Sequence, residues 1–90
     1  MDQRVHAIFT GTVQGVGFRY TAERIAQATG VRGWVKNLRN GGVEIVAEAP
    51  QEALSQFLDQ LKDRFAGYIK SVDVAGEPAT GEFRDFSITY

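Results

Sequence analysis

The spacing of apolar residues switches between two periods along the chain, which predicts strands that alternate with helices. Residues 4–13 are rich in β-branched and aromatic side chains and predict a first strand. From Phe18 the period becomes helical, and Gly30 suits the position that follows the last residue of a helix. The predicted buried face of this helix consists of Phe18, Ala22, Ile25, Ala26 and Thr29.

The rest of the chain predicts four more strands and a second helix. The strands are expected over residues 31–38, 43–49, 68–75 and 83–90. Pro50 suits the first turn of the second helix. An apolar stripe at helical spacing then follows, formed by Leu54, Phe57, Leu58, Leu61 and Phe65.

The region between the two helices contains a hairpin signal. Asn40-Gly41 favours a type I′ turn, in which both central residues have a positive φ. The strand after the turn alternates between apolar and polar residues, so Glu44 and Glu48 are expected to point to solvent from a half-buried strand.

The predicted element order is βαββαβ plus a C-terminal strand, which indicates an α+β fold. It is the ferredoxin-like split β-α-β sandwich, in which two helices cover one face of an antiparallel sheet. In this plan the first two strands run parallel with the third between them. Their carboxyl ends therefore meet at one edge of the sheet, about 10 Å apart.

Composition narrows the function classes. The 90 residues predict one domain, spanning 1–90, with 10 basic and 11 acidic side chains and a net charge of −1. The absence of Cys excludes thiolate nucleophiles, disulfides and cysteine-ligated metals, and the single His excludes a two-His metal motif. The near-neutral charge argues against nucleic acid as the main partner, and no apolar run predicts a membrane span. A cytoplasmic monomer that acts on a small molecule, without metal or cofactor, is expected.

The clearest chemical signal is the glycine-containing loop between the first strand and the first helix. Gly15 and Gly17 can adopt positive φ, which turns successive N–H groups inward as an anion-binding nest. No Ser, Thr, Asp or Asn stands between Gln14 and Arg19 to cap the helix, so a bound anion could take that role. Arg19 in the first turn opposes the helix dipole unless an anion lies between them. The alternative is a simple tight turn beside a solvated arginine.

Asn37 is the second candidate, because it lies near the carboxyl end of the second predicted strand. Its side-chain amide can donate and accept, and it could hold a water in line with a bound phosphoryl group. The alternative is that Asn37 serves the turn that follows it.

The segment Gly15-Val16-Gly17-Phe18-Arg19, together with Gly33-Trp34-Val35-Lys36-Asn37, closely resembles the acylphosphatases. These are small enzymes that hydrolyse carboxyl-phosphate mixed anhydrides, and the resemblance covers the whole chain. It implies that Arg19 and Asn37 are catalytic, with Arg19 binding the substrate and Asn37 orienting the attacking water. It also implies a phosphate cradle formed by Gln14, Gly15, Val16, Gly17, Phe18 and Arg19.

Two other functions compete with the enzyme. The same fold could bind an acyl or carbamoyl phosphate without turnover, as a module like the one at the front of a larger hydrogenase-maturation protein. The end of the chain at Tyr90 favours a free enzyme over that module. An RNA-binding domain of this fold would need exposed aromatics and a basic face, whereas residues 43–48 offer acids and no aromatics. Inorganic phosphate, the product, is expected to inhibit the enzyme.

Overall fold

The computed structural model describes residues 1–90 as one five-stranded sheet and two helices. The strands are β1 (Asp2–Gly11), β2 (Arg32–Asn37), β3 (Val43–Pro50), β4 (Ile69–Glu77) and β5 (Phe86–Ile88). The helices are α1 (Phe18–Thr29) and α2 (Gln51–Arg64). Neither helix is long and apolar enough to cross a membrane.

The sheet order is β4-β1-β3-β2-β5, which confirms the ferredoxin-like plan. β3 lies between β1 and β2 and pairs antiparallel with both, so β1 and β2 run parallel and end at the same edge. β5 pairs with β2 in the parallel sense, and the sheet is therefore mixed rather than wholly antiparallel. As a result, the carboxyl end of β5 also reaches the edge where β1 and β2 end.

Aromatic packing fixes the start of α1 above the end of β1. The Phe18 ring lies 4.9 Å from the Phe9 ring and 4.8 Å from the Phe65 ring, measured between centroids. All three side chains are almost completely buried in the core between the helices and the sheet. Because Phe18 is the first residue of α1, its burial anchors the helix N-terminus and the loop that precedes it.

The predicted type I′ turn is wrong. Asn40 does not have a positive φ, and only Gly41, with a φ of 93°, is left-handed. The N–H of Gly41 donates to the carbonyl oxygen of Leu38, and the N–H of Leu38 donates to that of Gly42. This pattern is a three-residue loop ending in a left-handed glycine, which needs a positive φ at one position rather than two.

The last strand is shorter than the predicted 83–90, since only Phe86–Ile88 pairs with β2. The preceding residues instead fold over the helix-free face of the sheet. There the backbone N–H groups of Thr80 and Gly81 donate to the carboxylate of Glu48, at 2.8 and 2.9 Å. Because these residues lie over the helix-free face, they do not extend the edge strand that pairs with β2.

The expectation that Glu48 faces solvent is also wrong, because its side chain is fully buried under this segment. Arg4 donates to the same carboxylate at 3.2 Å and to Glu82 at 2.6 Å. Burial raises the pKa of Glu48, but the hydrogen bonds from Thr80, Gly81 and Arg4 outweigh it and hold the pKa at about 2. Strand periodicity predicted the correct face of the sheet but not the loop that covers it.

Candidate active site

A pocket of about 160 Å³ opens at the edge where β1, β2 and β5 end. It contains residues from the loop after β1, the first turn of α1, the end of β2 and the C-terminal segment. The lining residues are Val13, Gly15, Gly17, Phe18, Arg19, Tyr20, Asn37, Ile88 and Tyr90. The structure thus brings the two predicted motifs together at one site.

The loop before α1 has the backbone conformation of an anion cradle. Gly15 and Gly17 have φ angles of 77° and 82°, as the glycine spacing predicts. Gly17 is the N-cap of α1, no side chain caps the helix, and no acidic residue stands in its first turn. The first N–H groups of α1 are therefore left for a ligand at the positive end of the helix dipole.

Arg19 supplies the positive charge of the pocket. Its side chain is half-buried, forms no ion pair, and lies with its guanidinium carbon 5.1 Å from the centre of the Tyr90 ring. An aromatic face restrains a guanidinium without neutralising it. The charge of Arg19 therefore stays available for an anion next to the helix N-terminus.

Gln14 has a different role from the rest of the predicted cradle. Its side-chain amide nitrogen donates to the carbonyl oxygens of Leu38 and Gly42, at 2.7 and 2.8 Å. Both amide hydrogens are therefore committed to the β2–β3 hairpin, and only the backbone N–H of Gln14 is left for a ligand. Val16 likewise does not line the pocket; its side chain packs against the core.

Asn37 is the last residue of β2, and it lies opposite Val43 in the β2–β3 ladder. Its position in the strand alternation places it on the face that the helices cover, as the buried Val35 two residues earlier shows. The half-buried amide lines the pocket and forms no hydrogen bond with another protein group. It is therefore available to hold a water or a substrate oxygen.

Four lining residues were not predicted from the sequence: Val13, Tyr20, Ile88 and Tyr90. For the last two, the missing information was the place of β5 beside β2. A fifth strand parallel to β2 must end at the same edge as β2, so its last residues reach the site. Sequence periodicity predicts a strand here but not which neighbour it pairs with.

Few kinds of functional group line the pocket. No Asp, Glu, His or Ser side chain lines it, and no group of three His, Cys, Asp or Glu in the structure could hold a metal ion. The available groups are backbone N–H donors, the guanidinium of Arg19, the amide of Asn37 and the aromatic rings and hydroxyls of Tyr20 and Tyr90. Such a site can bind an oxyanion and orient a neutral nucleophile, but it offers no side-chain base.

Comparisons with known proteins match the sequence and the fold of this chain. A sequence model of the acylphosphatase family matches residues 5–88. An acylphosphatase of Lactobacillus johnsonii is 42% identical over 83 residues, which cover 90% of this chain and 91% of the relative. The crystal structure of acylphosphatase from Bacillus subtilis aligns over 100% of both chains, with a TM-score of 0.91 and 37% identity.

The same fold also occurs inside a much longer protein. HypF from T. kodakarensis aligns with 98% of this chain at a TM-score of 0.83 and 33% identity, but the match covers 12% of HypF. By contrast, the Lactobacillus and Bacillus relatives match over nearly their whole length. With the family model spanning almost the whole sequence, this chain belongs to the acylphosphatase family.

Proposed function

We propose that residues 1–90 act as a single acylphosphatase domain that hydrolyses acyl phosphates to a carboxylate and inorganic phosphate. The observation that carries this proposal is the meeting of the Gly15–Gly17 cradle, Arg19 and Asn37 around one small pocket. The N–H groups of residues 14–19 and the guanidinium bind the phosphoryl oxygens, and Gln14 contributes only through its backbone. Relatives of similar length named acylphosphatase support the enzyme over a non-catalytic binding module.

The lack of a side-chain base suits this substrate. A carboxylate is a good leaving group and departs without a proton donor. The phosphoryl transition state is loose, so catalysis depends mainly on positioning and on stabilising charge on the equatorial oxygens. Arg19 and the free N–H groups of the first turn of α1 supply a fixed set of donors for those oxygens.

Asn37 orients the attacking water. The water oxygen forms a bond to phosphorus while the bond from phosphorus to the acyl oxygen breaks, and the carboxylate leaves with the electron pair. An amide is not a base near neutral pH, so the proton of the water passes to an oxygen of the transferred phosphoryl group. The amide of Asn37 at the carboxyl end of β2 supports this role, because it lines the pocket and can both donate to and accept from a water.

The test is hydrolysis of benzoyl phosphate by the wild-type protein and three variants. Arg19→Ala is expected to lower kcat at least about a hundredfold, the usual cost of removing one preorganised donor. Asn37→Ala is expected to lower kcat while the inhibition constant of phosphate stays within about twofold, because Asn37 positions water rather than phosphate. Arg84→Ala removes an exposed arginine outside the pocket and serves as the matched control.

The enzyme activity and the assignment of the phosphate cradle can be refuted separately. A folded wild-type protein without turnover above the spontaneous rate would refute the enzyme. Turnover that persists in Arg19→Ala would refute the assignment of the cradle. Inorganic phosphate is expected to inhibit competitively, because it occupies the same donors, and the active species is expected to be a monomer. Phosphate that leaves the initial rate unchanged at sub-saturating substrate would also contradict the cradle.

A further inference from the structure

A second, polar groove runs between α1 and α2, next to the catalytic pocket. One face of α1 contributes Tyr20, Thr21 and Arg24, and α2 contributes Gln60 and Arg64. Its volume of about 370 Å³ exceeds that of the catalytic pocket. Every polar side chain of this groove can donate a hydrogen bond, and no carboxylate lines it.

The two arginines of the groove carry uncompensated charge. The ion pairs of the structure involve Arg4, His6, Arg32 and Lys36, whereas Arg24 and Arg64 take part in none. The chain as a whole is close to neutral, with a net charge of −1, so two arginines without an ion pair make this groove locally positive. A cleft lined by one sign of charge concentrates ligands of the opposite sign.

Tyr20 connects the groove to the catalytic pocket, because it lines both. The guanidinium carbon of Arg24 lies 6.0 Å from the centre of the Tyr20 ring, which keeps this charge beside the shared wall. Arg24 stands one helical turn after Tyr20, so these two side chains share a face of α1, whereas Arg19 lies on another side of the helix, in the catalytic pocket. Because Tyr20 forms the shared wall, a short acyl group that leaves the catalytic pocket over this ring enters the groove lined by Arg24 and Arg64.

We propose that this groove is a subsite for a second anionic group at the far end of the acyl chain, a carboxylate or a phosphate. The inference rests on the proposed function, since it assumes that the phosphoryl group binds at residues 14–19. It defines a preferred substrate class, namely acyl phosphates whose acyl part is itself an anion. Arg24 and Arg64 bind the distal group, and the donors of Thr21 and Gln60 complete the site.

The experiment compares two rigid substrates that differ only in charge, 4-carboxybenzoyl phosphate and the isosteric 4-carbamoylbenzoyl phosphate. Two exposed ion pairs are together worth roughly fivefold to tenfold, so the wild-type kcat/KM is expected to favour the carboxylate by that factor. In the double variant Arg24→Gln/Arg64→Gln the ratio is expected to fall to about one. Using the ratio cancels any general effect of the substitutions on activity, and circular dichroism checks that the variant is folded.

Lys62→Gln provides the matched control, because Lys62 is an exposed cation of α2 that lines neither pocket. It removes one positive charge from the same helix and is expected to preserve the preference. Turnover of both substrates with no preference in the wild-type protein would overturn the subsite alone, as would a preference that survives in the double variant. A wild-type protein that hydrolyses neither substrate would instead overturn the proposed function, and the subsite with it.

Discussion

Replacing Glu48 by Gln tests how much the buried carboxylate on the helix-free face of the sheet contributes to the free energy of unfolding. The carboxylate accepts hydrogen bonds from the Thr80 N–H at 2.8 Å, the Thr80 hydroxyl at 3.0 Å, the Gly81 N–H at 2.9 Å and Arg4 at 3.2 Å. A Gln side chain offers one acceptor oxygen and turns its NH₂ group towards one of these donors. The charge and at least one hydrogen bond are lost in a fully buried place.

The magnitude follows from the pKa of Glu48, which lies at about 2 in the folded protein against an ordinary value of 4.5. Because one pKa unit is worth about 1.36 kcal/mol, ionised Glu48 adds about 3 kcal/mol to the free energy of unfolding. The pKa is lowered on folding, so this contribution is complete above pH 4.5 and disappears as the pH falls towards 2. Glu48→Gln is therefore expected to cost about 3 kcal/mol at neutral pH and little near pH 2.

Urea denaturation followed by the fluorescence of Trp34, the single tryptophan, measures this difference across the pH range. Asp59→Asn is the matched control, since Asp59 is exposed on α2 and forms no ion pair. The control is expected to change stability by less than about 0.5 kcal/mol. A Glu48→Gln penalty that is equally large at every pH would refute the reasoning, because it would reflect shape or packing rather than the buried charge.

Two further predictions concern the anchor of the phosphate loop and the core. Gln14→Ala removes two hydrogen bonds to the carbonyl oxygens of Leu38 and Gly42, which keep only their backbone donors. At about 0.5–1.5 kcal/mol for each bond, we expect a loss of about 1–3 kcal/mol in urea denaturation, together with a raised KM for benzoyl phosphate. Gln3→Ala, at an exposed position, is the control. An unchanged KM in Gln14→Ala would show that the hydrogen bonds of the Gln14 side chain do not affect substrate binding. Phe57→Ala removes a fully buried ring that packs 5.5 Å from another core ring, and is expected to cost about 3–5 kcal/mol. A loss below about 1 kcal/mol would mean that the core closes over the cavity.

The sequence predicted the elements that position the site, because each carries a local signal. The apolar face of α1 and the left-handed Gly17 and Gly30 at its two ends are properties of neighbouring residues. The same is true of the strand that ends at Asn37. Once the order of elements indicates a parallel β1 and β2, the meeting of the loop and Asn37 follows from topology rather than from any contact.

The burial of Glu48, the position of Tyr90 and the use of the Gln14 side chain all depend on contacts between distant segments. Glu48 is buried by residues about 32 positions later in the chain, and alternation along one strand carries no information about such a cover. Tyr90 reaches the pocket because β5 pairs with β2, another long-range choice. Gln14 belongs to a glycine-rich loop, but its side chain is used for a hairpin about 24 residues away. Local patterns cannot distinguish these uses from solvent exposure or ligand binding.

Arg4 on the helix-free face of the sheet and Arg19 at the start of α1 have opposite surroundings. This difference fits the proposed mechanism, which uses no side-chain base. On the helix-free face, Arg4 is held by Glu48, Glu77 and Glu82, so its charge is neutralised by protein groups. By contrast, Arg19 stands in the first turn of α1, where no side chain caps the N–H groups and no acidic residue is present, an arrangement that opposes the helix dipole. In the proposed mechanism, this unfavourable interaction is relieved when a phosphoryl group enters between Arg19 and the N–H groups. We therefore expect the start of α1 to be electrostatically more favourable with an anion bound, and this gain to increase as negative charge builds up on the equatorial oxygens.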